Sequence, residues 1–267
     1  MGRVPDRHAA EVAMTDPMVP QPHVGQHRGT YGIDAPYVPL LLGIGGLTML
    51  GVTALNVLRH AGPLPVVWCA LVSLVMLGST ASYLYTTRAG KFAIWARLLK
   101  QLHLRGDERV LDVGCGRGAV LLAAAQRVPR GQVIGVDLWK TADQSGNSMD
   151  VTRRNAALEG VADRVELHTA DMRDLPFADG SFDVVVSSLA IHNIPDASGR
   201  AKAIAEAVRV LRPRGQLLIA DIRAAGEYRD TLRQVGLADV GTRPLGWRFW
   251  YGGPWMATTL VSATKQT

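Results

Sequence analysis

Two stretches without a charged side chain constrain this chain more than any other feature. No Asp, Glu, Lys or Arg occurs between Asp34 and Arg59, and none between Arg59 and Arg88. The first stretch contains Val38 to Leu58 and the second Leu64 to Tyr85, both dominated by aliphatic side chains. At about 1.5 Å rise per residue, roughly 20 residues cross the ~30 Å hydrocarbon layer of a bilayer. A buried helix of a soluble bundle seldom runs so long with no charge on any face. The pattern therefore predicts a transmembrane helical hairpin over residues 38–85, turning at Arg59 to Pro63. A cleaved signal peptide fits less well, because the apolar run starts only at Val38 and a second follows at once.

Basic side chains set the expected orientation. Arg88, Lys91, Arg97, Lys100, Arg105 and Arg109 follow the second span, against Arg59 alone in the turn. The positive-inside tendency then predicts a multi-pass protein of the cell membrane with its C-terminal domain on the cytoplasmic side. Two spans return the N-terminus to that side. Residues 1–37, rich in Pro, His and Gly and without periodicity, predict a flexible tail.

The same charges account for the net charge of +6. Between Arg88 and Arg130 the surplus of Lys and Arg over acids equals that whole excess, so the basicity points to membrane lipids as partners. No basic and aromatic strip marks a nucleic-acid groove, and nucleic acid is not an expected partner. Two cysteines, Cys69 and Cys115, make neither a disulfide framework nor a metal cluster, and no metal is expected. The chain also lacks HExxH, Walker and GxSxG motifs, which removes several hydrolase classes.

Beyond the hairpin, Phe92, Trp95, Leu98, Leu99 and Leu102 recur at helical spacing and predict a juxtamembrane amphipathic helix within 86–108. From Arg109 onward strands and helices alternate. Strands are expected at Arg109 to Val113, Gln132 to Asp137, Val165 to Thr169, Phe182 to Ser188 and Gln216 to Asp221. Helices are expected at Ala119 to Val128, Asp150 to Glu159, Gly199 to Leu211 and Tyr228 to Val235, with a hairpin-like end around Gly252, Gly253 and Pro254. This alternation predicts an α/β domain over 109–267 whose parallel sheet is covered on both faces.

Ligands of such sheets sit beyond the carboxyl ends of the strands. The first such end carries Asp112-Val113-Gly114-Cys115-Gly116-Arg117-Gly118-Ala119, whose glycines allow positive φ and close approach of a ligand to the backbone. Gly114, Gly116 and Ala119 also satisfy a dinucleotide fingerprint, so the loop alone leaves two ligands open. Asp112, just before the first glycine, would attract a cation and repel a pyrophosphate. Asp137, at the end of the second expected strand, is placed to accept ribose hydroxyls, which either ligand supplies. The run Asp171 to Asp183 has no counterpart in the dinucleotide fingerprint.

Val110 to Gly118, Val133 to Asp137, Ala170 to Ser188 and Leu211 to Asp221 together resemble the class I S-adenosylmethionine-dependent methyltransferases. The likeness is to the small-molecule branch typified by ubiquinone and menaquinone biosynthesis methyltransferases, and it covers roughly Gly90 to Asp221. It implies a Rossmann-like seven-stranded sheet of order 3-2-1-4-5-7-6 with the seventh strand antiparallel. It also implies S-adenosyl-L-methionine as cofactor. Gly114 and Gly116 would approach its methionine part, with Asp112 near the ammonium and Asp137 on the ribose hydroxyls. Leu138 or Trp139 would cover the adenine, Asp171 would face its amino group with Met172 alongside, and Ser188 would lie beside the methionine. Trp139, Met172 and Ser188 are also side chains that could simply pack at strand ends.

Methyl transfer is an in-line displacement in which much of the protein's task is alignment and desolvation. His192, four residues past the fourth strand, is the candidate catalytic base; its other reading is a loop histidine that fixes the turn with Asn193. Lys91 is a second basic candidate but reads better as a membrane-surface charge. Trp247, Phe249, Trp250, Tyr251 and Trp255 cluster near the C-terminus and could wall an apolar pocket, enter the membrane interface or pack the sheet. The expected activity is methyl transfer to a small, lipophilic acceptor. A soluble acceptor, a cofactor-binding module without turnover and a nicotinamide-dependent oxidoreductase are the alternatives. The acceptor, the methylated atom and the oligomeric state are not encoded legibly.

Overall fold

The computed structural model describes residues 27–237 and 239–266. Two antiparallel helices come first, α1 (Tyr37–Leu58) and α2 (Pro63–Tyr85). Pro63 opens α2, where its missing N–H costs no hydrogen bond and its fixed φ suits a helix start. The two helices meet through small residues, with Ser73 Oγ donating to the Gly46 carbonyl at 2.9 Å. Most of their large apolar side chains point away from the protein: Leu58 is 76% exposed, Leu64 80% and Trp68 67%. Both helices are long and apolar enough to cross a membrane.

The backbone stays helical beyond α2, passing through a wide π turn at Thr86–Gly90 into α3 (Lys91–Gln101). At this turn the C-terminal region locks onto the helix. Thr86 Oγ1 donates to the Trp250 carbonyl at 2.7 Å, and the Arg248 carbonyl occupies the place a side chain at residue 90 would need, which fits Gly90. The amphipathic pattern of α3 is as the sequence predicts, but its setting differs from a juxtamembrane one. Ile94, Trp95, Leu98 and Leu99 are buried in the α/β domain, so α3 is the first helix of that domain.

The sheet contains β1 (Arg109–Val113), β2 (Gln132–Asp137), β3 (Val165–Thr169), β4 (Phe182–Ser188), β5 (Leu211–Asp221), β6 (Val240–Pro244) and β7 (Thr259–Thr264). Its order is β3-β2-β1-β4-β5-β7-β6, with β7 antiparallel to both neighbours. The helices are α4 (Ala119–Ala125), α5 (Met149–Leu158), α6 (Ala197–Val210) and α7 (Ala225–Gln234). Strand alternation sends successive side chains to opposite faces. Val110, Val133, Val184 and Val186 join one apolar cluster with α3 and α4. Leu111, Ile134, Val185 and Ile219 join the other with α6 and α7.

The flexible tail expected over 1–37 needs correction where it is described. Residues 1–26 lie outside the described residues, whereas 27–36 dock on the domain as a strap. Glu159 accepts the Arg28 and Gly29 amides and the Tyr31 hydroxyl at 2.9–3.0 Å. The Thr30 amide donates to Asn155, and the Ile33 amide to Ser145. Such polar pairing carries no periodicity, so composition alone missed it.

Candidate active site

The loop from β1 to α4 turns by positive φ at Gly114 (74°), Gly116 (51°) and Gly118 (88°). A side chain at Gly114 would collide with the Ala190 methyl. The loop is pinned from several directions. Gly114 and Cys115 both donate to the Val136 carbonyl, and the Gly116 amide donates to Asp137 Oδ2 at 2.8 Å. From α5, Thr152 Oγ1 donates to the Gly116 carbonyl at 2.7 Å, and Asn155 Nδ2 to the Arg117 carbonyl at 2.9 Å.

Beyond this loop lies a cleft of about 1040 Å³, its open mouth included. Parallel pairing places Asp112 level with Gly135 and Val186, so the ends of β1, β2 and β4 converge there. Asp112, Gly114, Gly116, Asp137, Leu138, Asp171, Met172 and Ser188 all line it. Two residues singled out from the sequence do not line it. Trp139 turns away in a positive-φ conformation and donates its indole N–H to Thr169 Oγ1 at 2.8 Å, which leaves Leu138 as the member of that pair on the cleft.

His192 is the other. Its backbone amide donates to Asp221 Oδ2 at 3.2 Å, and its Nδ1 lies 2.5 Å from Asp221 Oδ1 at an angle unsuited to a hydrogen bond. Asp221 is itself buried and also accepts from the Tyr228 hydroxyl at 3.1 Å and the Ile222 amide at 2.8 Å. His192 thus stands on the rim of β4 and β5 with a carboxylate behind it, while the next residue, Asn193, faces the cleft.

The charges of the cleft are unevenly satisfied. Asp112 is 1% exposed, and neither of its carboxylate oxygens accepts a well-formed hydrogen bond. Burial pushes its pKa up to about 8; the nearby Leu121 amide offsets only part of this, and the Asp137 carboxylate adds to it. Burial, reinforced by Asp112 and Asp137, raises the Cys115 thiol well above its usual range, so it stays protonated and is not a nucleophile. Asp137 is better supported, with Oδ1 accepting from Trp139 N at 2.6 Å and Asn147 Nδ2 at 3.2 Å. Asp171 is held by Arg173 Nη2 at 2.6 Å, and that guanidinium keeps its carboxyl below the usual range.

The cleft is also lined by Arg173 and Gln144, which the sequence did not single out, and by Lys91, which read as a surface charge. Arg173 lies two residues after a residue already singled out. Gln144 belongs to Asp143-Gln144-Ser145-Gly146-Asn147, a polar turn with no periodicity to single it out. Lys91 corrects the membrane-surface reading: it is 4% exposed and its Nζ meets both oxygens of Asp34 at 2.8–2.9 Å. Among the described residues no group of His, Cys, Asp and Glu could hold a metal ion.

The comparisons with known proteins converge on this region. Residues 111–219 match the family described as a methyltransferase domain. The chain is 36% identical over 132 residues to a demethylmenaquinone methyltransferase of Symbiobacterium thermophilum, covering 49% of each chain. It is 38% identical over 127 residues to a 27-O-demethylrifamycin SV methyltransferase of Amycolatopsis mediterranei, covering 47% of this chain and 42% of the relative. The chain thus spans about half the length of the curated relatives it matches. An S-adenosylmethionine-dependent methyltransferase structure from Methanosarcina mazei shares the fold at a TM-score of 0.52 and 19% identity, over 63% of this chain and 97% of that one. Over residues 111–219, then, the chain matches the methyltransferase-domain family.

Proposed function

We propose that the whole protein is a membrane-anchored S-adenosylmethionine-dependent methyltransferase acting on a small, lipophilic acceptor. One observation carries the cofactor reading: the Asp112 carboxylate is buried, accepts no well-formed hydrogen bond from the protein and faces the cleft. An ionised carboxylate in that position needs a cationic partner. The ammonium of a methionine moiety supplies one, and a pyrophosphate does not.

The remaining residues fit the same ligand. The positive-φ turn at Gly114 and Gly116 keeps side chains out of its path, and Asp137 retains capacity on Oδ2 for a ribose hydroxyl. Leu138 and Met172 offer apolar surface for the adenine, beside Asp171. When bound, S-adenosylmethionine supplies an electrophilic methyl on a sulfonium. The protein's part is to align the acceptor and exclude water. We assign His192 as the group that takes the acceptor's proton, with Asp221 behind it to orient the ring.

A lipophilic acceptor is supported by the hairpin's outward apolar side chains and by a groove between α2 and the C-terminal loop. That groove is lined by Leu74, Val75, Trp247, Trp250 and Trp255. The start of α1 and the end of α2 meet the same domain, as a two-span anchor with one cytoplasmic domain requires; Tyr83 in α2 donates to the Asp34 carbonyl at 2.9 Å. Membranes containing the protein, incubated with methyl-labelled cofactor and extracted lipids, should yield a labelled lipid. Label confined to water-soluble products would contradict the acceptor class.

A further inference from the structure

The segment ahead of the hairpin does more than lead into it. Asp34, three residues before the start of α1, sends its carboxylate into the domain and collects donors from four separate places. Lys91 Nζ bonds both oxygens at 2.8–2.9 Å, Thr87 Oγ1 bonds at 2.7 Å, the Tyr251 hydroxyl at 2.7 Å and Gln144 Nε2 at 3.0 Å. These donors come from the π turn, α3, the C-terminal aromatic loop and the loop after β2. Burial alone would raise the Asp34 carboxyl, but the Lys91 ammonium and the hydroxyl donors outweigh it and hold it below the ordinary range.

Two of the donors belong to the cleft. Lys91 lines its wall, and Gln144 uses its other end to accept the Arg117 amide at 2.8 Å, inside the glycine loop. From Asp34 through Gln144 a continuous chain of hydrogen bonds therefore runs into the loop that carries Gly114 and Gly116. Long charged side chains are seldom fixed on a cleft wall without such a partner, because ordering a lysine costs rotamer freedom. The Asp34 carboxylate removes that freedom before a ligand arrives.

We propose that Asp34 is a positioning residue of the active site: it sets the Lys91 ammonium and the Gln144 amide against the cofactor cleft, and so makes the strap before the membrane hairpin part of that site. The proposal rests on the S-adenosylmethionine reading above. The methionine end of that ligand is a zwitterion. Asp112 answers its ammonium, and a fixed ammonium on the cleft wall answers the carboxylate beside it. A domain cut away after the hairpin would keep Lys91 but lose the group that holds it.

The test is calorimetric titration of the full-length protein, in detergent micelles or lipid nanodiscs, with S-adenosylmethionine. Asp34→Asn should weaken binding by about tenfold or more, and Asp34→Glu should recover part of the loss. Lys91→Met should weaken binding comparably, and the double variant Asp34→Asn/Lys91→Met should be little worse than either single one, because both remove the same interaction. Hydrogen exchange should quicken at 143–147 in Asp34→Asn. Wild-type affinity in Asp34→Asn, or strictly additive losses in the double variant, would overturn the proposal. Absence of binding by the wild type would instead overturn the cofactor reading itself. If Asp34→Asn does not fold, Tyr251→Phe deletes one of the four supports; it should weaken binding about two- to fivefold, roughly the worth of one hydrogen bond, and unchanged affinity there would also overturn the proposal.

Discussion

Gly116 donates its backbone N–H to Asp137 Oδ2 at 2.8 Å, so the turn after β1 and the end of β2 form one unit. Oδ1 of the same carboxylate already accepts two bonds, from Trp139 N and Asn147 Nδ2. A carboxylate oxygen has room for about two acceptors' worth of bonding, which leaves the second site on Oδ2 for a ligand hydroxyl. Asp137→Ala removes both the proposed ribose contact and the tie to Gly116. Cofactor affinity should fall on the order of a hundredfold, with the fold retained by circular dichroism. Unchanged affinity in calorimetry would refute the ribose assignment.

Asp112 gives a prediction in pH. Burial pushes its carboxyl up to about 8 in the folded protein, above the 3.8 of an aspartate in an unfolded chain. The folded state therefore binds more protons between those limits, and this group's contribution to stability falls as pH rises through that window. Asp112→Asn should gain stability relative to the wild type as pH is raised toward 8 and beyond, read as a difference in Tm. Cofactor binding runs the opposite way: below about pH 8 the carboxyl must release a proton to receive an ammonium, so affinity should rise with pH until the ligand's own amine titrates. Calorimetry at pH 7 in two buffers of different ionisation enthalpy should show proton release in the wild type and none in Asp112→Asn. Equal proton release in both would place the ammonium elsewhere.

The rim histidine separates binding from turnover. His192→Ala should lower kcat by about 10²–10⁴ if it takes the acceptor's proton, with S-adenosylmethionine affinity unchanged. Asp221→Asn should lower kcat in the same direction, because Asp221 accepts the His192 amide and sets its carboxylate against the ring. Normal turnover in His192→Ala would retire the base assignment and leave proximity and desolvation as the protein's contribution.

The hairpin can be tested apart from the chemistry. Leu47 and Leu74 sit near the middle of α1 and α2 and face outward. An arginine at a helix centre costs about 2.5–3.5 kcal/mol of insertion free energy. Leu47→Arg combined with Leu74→Arg should shift the protein out of carbonate-washed membranes, where the wild type remains. Wild-type protein recovered in the carbonate supernatant would refute a spanning hairpin.

What was legible in the sequence follows from range. The strands and helices of the sheet are local patterns, and the order β3-β2-β1-β4-β5-β7-β6 came with the resemblance carried by Asp112 to Gly118 and Asp171 to Ser188. The apolar face of α3 was legible too, but not what covers it, since the same periodicity serves a membrane surface or a protein core. The Asp34 network was out of reach: its partners stand 53, 57, 110 and 217 residues away in the chain. Lys91 read as a surface charge for the same reason, because nothing near it in sequence is a carboxylate. Trp139 turns off the cleft through a positive φ that a tryptophan rarely adopts, which no residue pattern announces.

The central claim is that the cleft above β1, β2 and β4 takes a sulfonium nucleoside whose ammonium meets Asp112. Titration of the purified protein with S-adenosylmethionine, with NADH as the control, addresses it directly. One site per chain is expected for the nucleoside, with affinity weakened in Asp112→Asn, and no heat is expected from NADH. Saturable binding of NADH with none of the nucleoside would contradict it.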